Sequence, residues 1–240
     1  MKIDITKYKP LIQTAIKLFW NTRNKQTVQQ SAKNIKDTGN RSAVTGGKQL
    51  DGFLDLLCEV AEDIGIPKEC IYIKGNHIPG YFRPTKDWDL LIISPNKKLI
   101  AVVELKSQVG SFGNNFNNRT EESLGSAIDL WTAFRENAYP NQSAPWVGYL
   151  MLVEKSEKST SPVRVSEPHF KVFPEFNGSS YLDRYKLLCQ KLMLERHYSQ
   201  CCLIWSKNDA TFGNVADEIS IENFIFSFIG HLVSQLNEFE

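Results

Sequence analysis

Two short, almost wholly apolar runs sit in the middle of the chain: residues 89–93 (Asp-Leu-Leu-Ile-Ile) and 99–105 (Leu-Ile-Ala-Val-Val-Glu-Leu), separated by Ser94-Pro95-Asn96-Lys97-Lys98. Runs this short and this apolar, with Pro and Asn between them as turn formers, read as a buried hairpin. A turn centred between Asn96 and Lys97 pairs positions whose numbers sum to 193. Ile93 then faces Ile100, Leu91 faces Val102 and Asp89 faces Glu104. An odd-length loop or a bulge would move this register by one residue.

Helical periodicity surrounds the hairpin. Leu11, Ile12, Ala15, Ile16, Phe19 and Trp20 recur on one face of an amphipathic helix, and after a polar stretch at 37–49 a second helix over 50–64 carries Phe53, Leu54, Leu57, Val60, Ala61 and Ile64. Downstream, the composition predicts a Gly/Asn-rich loop at 107–118, a helix at about 121–136 and a strand at 146–153. A polar loop at 154–168, a helix near 181–196, a strand at 201–205 and a final helix complete the chain. The final helix carries a stripe through Ile221, Phe224, Ile225, Phe228, Ile229 and Leu232, which is either core or a dimer interface. Strands and helices interleave throughout, so the expected class is α/β, a central mixed β-sheet flanked by α-helices. With 240 residues, 42% of them apolar, one domain over 1–240 can bury a sizeable core.

The charges nearly cancel, with 28 Lys and Arg against 27 Asp and Glu. Their distribution is uneven. The first fifty residues hold ten bases against only Asp4 and Asp37, which marks about 1–50 as a basic helical segment of the kind that binds polyanions. The five cysteines are odd in number and form no C-x-x-C pair, so they read as reduced core thiols. Cys189, His197, Cys201 and Cys202 have no zinc-finger spacing and read as core as well. No charged-then-apolar leader opens the sequence, and no apolar run approaches about twenty residues. The expectation is a cytoplasmic protein without a membrane partner.

Chemistry concentrates at the open end of the hairpin. Side chains alternate along a strand, so Glu104 and Lys106 share a face, opposite Asp89, while Leu105 turns away. Two opposed carboxylates at a largely buried site destabilise one another unless a cation sits between them. Oxygen ligands of this hardness suit Mg²⁺, which takes one or two carboxylates, keeps several waters and completes its shell with substrate phosphate. A lysine beside such an ion can orient the attacking water and neutralise charge on phosphorus, which are the needs of phosphodiester hydrolysis. The segment that follows is rich in amides. Gln108, Asn114, Asn115, Asn117 and Asn118 can pair with adenine and Arg119 with guanine in the major groove, and Arg41 and Lys48 can contact phosphates.

Asp89…Glu104-Leu105-Lys106 resembles the D…(D/E)-x-K core of the restriction-endonuclease-like nucleases. Wider stretches resemble the XhoI type of Type II restriction endonuclease: Arg41 to Lys48, Lys86 to Leu91, and Glu104 through Phe112-Gly113-Asn114-Asn115-Phe116 to Arg135. Trp88 stands where the superfamily often has Pro, a change of turn residue and not of ligand.

The resemblance implies a restriction-endonuclease-like core in which Asp89 and Glu104 hold the metal, the Leu105 carbonyl adds a ligand and Lys106 is the catalytic lysine. Relatives often add a helical Glu as an outer ligand, for which Glu59 is preferred over Glu62. It further implies Mg²⁺-dependent cleavage of double-stranded DNA at the palindrome CTCGAG, leaving 5′-phosphate and 3′-hydroxyl ends. A homodimer and a separate companion DNA methyltransferase are implied too. Two alternatives stand beside it: a structure-selective or repair nuclease of the same superfamily, and a catalytically silent DNA-binding module.

Overall fold

The computed structural model describes residues 4–32 and 47–240. Its centre is a six-stranded mixed sheet of β1 (Ile71–Tyr72), β4 (Leu90–Ile93), β5 (Leu99–Gln108), β6 (Trp146–Glu154), β7 (Gln200–Ser206) and β8 (Phe212–Asn214), in that spatial order. β4 and β5 are antiparallel, β5, β6 and β7 run parallel, and the two edge strands are antiparallel to their neighbours. A separate two-stranded hairpin, β2 (His77–Pro79) with β3 (Thr85–Asp87), stands beside the sheet. Sequence patterning did not reveal β1, β2, β3 or β8; each has only two or three residues, too few to establish an alternation.

The alternation along the central strands divides the core into two layers. Leu90, Ile92, Ala101, Val103 and Leu105 face one side, with α1 (Lys9–Ala32), α2 (Asp51–Asp63) and α6 (Ile221–Ser234). Leu91, Val102, Val147, Tyr149 and Met151 face the other, with α3 (Phe112–Arg135) and α5 (Tyr181–Leu194); a one-turn helix, α4, spans Glu157–Thr160. α1 and α2 meet closely, since a Cβ at Gly52 would lie 2.7 Å from Ala15 Cα. The stripe on α6 is core: Phe224, Phe228 and Ile229 are fully buried within the chain's own first layer. Cys189, Cys201 and Cys202 are likewise buried thiols, and all five cysteines are free.

The hairpin register agrees with the sum of 193 over Leu90–Val103, Leu91–Val102 and Ile92–Ala101. It departs at the turn, where Ile93 pairs with Leu99 and not with Ile100. The connecting loop is odd, closed by Ser94 N–H to the Lys98 carbonyl (2.9 Å) and by Lys97 in the left-handed region (φ +60°). A bulge at Ile100 absorbs the extra residue and restores the register before the functional end.

A larger correction concerns 107–118. Ser107 and Gln108 finish β5, and α3 begins at Phe112, nine residues earlier than the periodicity places it. Gly110 (φ +62°) and Ser111 (φ +45°) reverse the chain in two residues. Tertiary packing then overrides the modest helix propensity of Asn and Gly: Phe112 stacks on Tyr181 at 5.9 Å, and Phe116 meets Tyr185 edge-on at 5.2 Å.

Candidate active site

At the open end of the β4/β5 hairpin the pleat sends Glu104 and Lys106 to the α3 side of the sheet, because Leu105 belongs to the opposite layer. Asp89 stands one residue before β4. Its N–H donates to the Val103 carbonyl (3.1 Å), and its Oδ2 accepts from the Leu105 N–H at 2.6 Å. The first carboxylate is therefore fixed to the backbone of the strand that carries the second. Glu104 is 5% exposed and each of its oxygens meets a lysine: Oε1 accepts from Lys106, and Oε2 lies 2.6 Å from Lys86 Nζ. Lys86, on β3 and only 10% exposed, also donates to the Asp87 carbonyl (2.9 Å) and lies 4.1 Å above the Trp88 ring. Trp88 thus supports a cation of the site.

These environments drive the two carboxyls apart. Burial raises the pKa of Asp89, and the nearby Glu104 charge raises it further; Lys106, the Leu105 N–H and Lys86 offset only part of this. Burial also pushes Glu104 up, but Lys106 and Lys86 outweigh it and hold that carboxyl below its ordinary value. One acid that resists ionisation beside one that is fully charged is the pattern of a working polar site.

The group forms the floor of a cleft of about 750 Å³. Leu50 and Leu54 from the start of α2 form one wall, Phe82 and Arg83 from the β2/β3 loop another, and Arg119, Glu122 and Asp129 from α3 a third. Asp129 is a buried brace. Its Oδ1 accepts from the N–H groups of Tyr81 and Phe82, both at 2.8 Å, and its Oδ2 from Arg83 Nε at 2.6 Å. Burial raises its pKa, and the Arg83 bond and the two amides more than reverse this. A Cβ at Gly80 would run into both Asp129 oxygens, so only glycine lets this loop close on the helix.

The remaining predicted residues fall into separate places. Asn114, Asn117 and Asn118 are exposed on the first half of α3, and Asn115 is half-buried there. They stand on a rigid helix and not on a loop. Arg119 turns into the cleft, pairs with Glu122 and keeps a buried Nε without a hydrogen-bond partner. Gln108 is buried, with Nε2 closing the turn onto the Gly110 carbonyl at 2.5 Å. Lys48 is exposed beside the buried, cleft-lining Gln49. Glu59 and Glu62 are exposed farther along α2, away from the cleft wall. Arg41 lies outside the described residues.

Sequence reasoning did not single out Lys86, Arg83, Asp129 or Gln49. Gln49 donates to Ser107 Oγ (3.4 Å) and keeps Oε1 buried without a hydrogen-bond partner. Lys86 had one usable signal, its period-2 spacing to Trp88 just ahead of the first carboxylate.

The family model for restriction endonuclease XhoI matches residues 29–217. The chain belongs to the XhoI restriction endonuclease family. Among relatives of this family, the Type II restriction enzyme BstVI of Geobacillus stearothermophilus is 51% identical over 210 residues, covering 83% of this chain and 94% of that protein. XhoI of Xanthomonas vasicola is 47% identical over 199 residues (81% and 79%), and AbrI of Azospirillum brasilense 42% over 174 (71% and 78%). No solved structure matches the chain. Membership in the XhoI family makes the protein a Type II restriction enzyme and favours that reading over the repair nuclease and the silent binding module.

Among the described residues no three His, Cys, Asp or Glu side chains gather as a metal-holding group. The cleft floor offers the two carboxylates of Asp89 and Glu104, both hard oxygen donors. Mg²⁺ fits such a set, since it needs few protein ligands and takes water and phosphate oxygen for the rest.

Proposed function

We propose that this XhoI-family enzyme hydrolyses both strands of duplex DNA at the palindrome CTCGAG, as a homodimer, with Mg²⁺ as cofactor. The observation that carries the reading is the convergence of Asp89, Glu104 and Lys106 on one face at the floor of a polar cleft.

Asp89, Glu104 and the Leu105 carbonyl are the residues that would hold the ion. When bound, Mg²⁺ supplies positive charge that acidifies water and offsets charge on the scissile phosphate. Lys106 Nζ, which donates to Glu104 at the floor of the cleft, can orient the attacking water and meet a phosphate oxygen. Burial of Glu104 strengthens each of these interactions relative to water. Attack on phosphorus opposite the 3′-oxygen leaves a 5′-phosphate and a 3′-hydroxyl.

Exposed Asn114, Asn117 and Asn118 make the first half of α3 the recognition surface, with amides suited to adenine edges. Arg41 and Lys48 serve as phosphate contacts. A palindrome read by one chain calls for a two-fold dimer, each subunit reading a half-site and cutting one strand. An enzyme of this kind works on DNA in the cytoplasm beside a separate methyltransferase that protects the host sites. No helix among the described residues is long and apolar enough to cross a membrane.

Digestion of a plasmid carrying one CTCGAG, followed by run-off sequencing of both ends, tests the site. A single linear product ending within CTCGAG agrees with the proposal. Discrete ends within another sequence would overturn the specificity, and cuts without any sequence preference would overturn the whole reading.

A further inference from the structure

The loop joining β2 and β3 presents two adjacent aromatic side chains to solvent, Tyr81 at 53% exposure and Phe82 at 69%. They pack edge-to-face with ring centres 5.0 Å apart. Exposing two large aromatics is unfavourable, and a loop with no use for them would be free to fold them away. This one is held open by buried structure. Asp129, whose side chain is 4% exposed, accepts from the backbone N–H of both aromatic residues and from Arg83. Gly80 is required for that approach, and Tyr139 donates its hydroxyl to the Pro79 carbonyl at the base of the loop. A buried, charged anchor thus fixes the backbone of the loop that carries the two exposed rings.

Their position indicates what they meet. Phe82 and Arg83 line the same cleft as Asp89, Glu104 and Lys106. Of the five N–H donors of the Arg83 guanidinium, Nε is committed to Asp129, while the terminal nitrogens carry the other four on a residue that lines the cleft. Apolar wedges flanked by arginine and set beside a phosphate-binding floor are suited to the sugar and base edges of a duplex groove.

We infer that the Tyr81–Phe82 tip is a DNA-contacting wedge that packs against the nucleotides flanking the scissile phosphate, with Arg83 holding the adjacent phosphate. The inference rests on the nuclease reading of the cleft. It assigns a binding role to residues outside both the metal site and the helix α3 amides.

Two measurements on the full-length protein test it, both with Ca²⁺ in place of Mg²⁺ and a duplex bearing the cleaved site. The first replaces Phe82 by photoreactive p-benzoylphenylalanine, and irradiation should link it to nucleotides beside the scissile position. The second measures duplex affinity of Tyr81→Ala/Phe82→Ala, which should fall about fivefold to a hundredfold per ring removed, the range of base–aromatic contacts. Sedimentation without DNA should show the same oligomeric state as the parent. Absence of the cross-link, unchanged affinity, or loss of the oligomer in place of DNA binding would each overturn the wedge. A parent protein that neither binds nor cuts duplex DNA would instead overturn the nuclease reading on which it rests.

Discussion

Lys86 Nζ lies 2.6 Å from Glu104 Oε2, so the buried carboxylate at the cleft floor is held by two lysines and not by Lys106 alone. Two lysines thus face two carboxyls, and burial together with the Glu104 charge disfavours the ionised form of Asp89. An arriving divalent ion competes with the two lysines for the Glu104 oxygens, and a DNA phosphate is the natural new partner for a lysine that yields. Metal and substrate are therefore expected to assist one another's binding.

Replacing Lys86 by Met tests this coupling. With one cation removed from Glu104, Ca²⁺ binding without DNA should tighten by roughly tenfold or more, since unit charges this close interact by at least that much even at an effective dielectric of about 20. Calorimetric titration reads it directly. An equal or weaker Ca²⁺ affinity in Lys86→Met would show that Lys86 does not compete with metal.

Asp129 gives the protein an acid-sensitive brace. Its carboxyl is held below its ordinary value by Arg83 and two backbone amides, so it stabilises the fold above the unfolded carboxyl pKa of about 3.9 and loses that contribution as pH falls through its lower folded value. Asp129→Asn should cost about 1.5–3 kcal/mol at pH 7, the range for hydrogen bonds to a charged group. Denaturant midpoints measured from pH 7 down to pH 2 should converge for parent and variant. Parallel curves would mean that the charge of Asp129 contributes nothing.

The basic amino-terminal segment makes a prediction about salt. Neutralising Lys33, Lys36, Arg41 and Lys48 together should lower the slope of log affinity against log salt by about 3.6, if each neutralises one phosphate. Of the four, Lys33, Lys36 and Arg41 lie outside the described residues. An unchanged slope would make the segment an ordinary solvated surface.

Much of the candidate site is legible in the sequence. The two apolar runs and the short Pro-Asn turn specify a hairpin, and the alternation within Glu104-Leu105-Lys106 then sets which side chains share a face. The bulge at Ile100 was not readable, because it follows from how Ser94 and Lys98 close an odd loop. The start of α3 was missed because its Asn and Gly residues have weak local preference, while the aromatic contacts that hold Phe112 and Phe116 come from Tyr181 and Tyr185, over sixty residues away. Lys86 sits on a three-residue strand without apolar alternation, and Asp129 has the look of a solvated helical acid until the β2/β3 loop closes over it. Both gain their roles only through tertiary contact.

The central claim is that Asp89, Glu104 and Lys106 perform metal-assisted hydrolysis of DNA. The most direct measurement is single-turnover cleavage of a cognate duplex by the parent, Glu104→Gln and Lys106→Met, with Mg²⁺ and with chelator, alongside duplex affinity in Ca²⁺. The parent should give discrete cleavage only with Mg²⁺. The rate should be about 10²–10⁴-fold lower in Lys106→Met, the range for a lost charge-stabilising or proton-handling group, with affinity held within a few-fold. Cleavage that persists in chelator, or that survives Glu104→Gln at the parent rate, would contradict the claim.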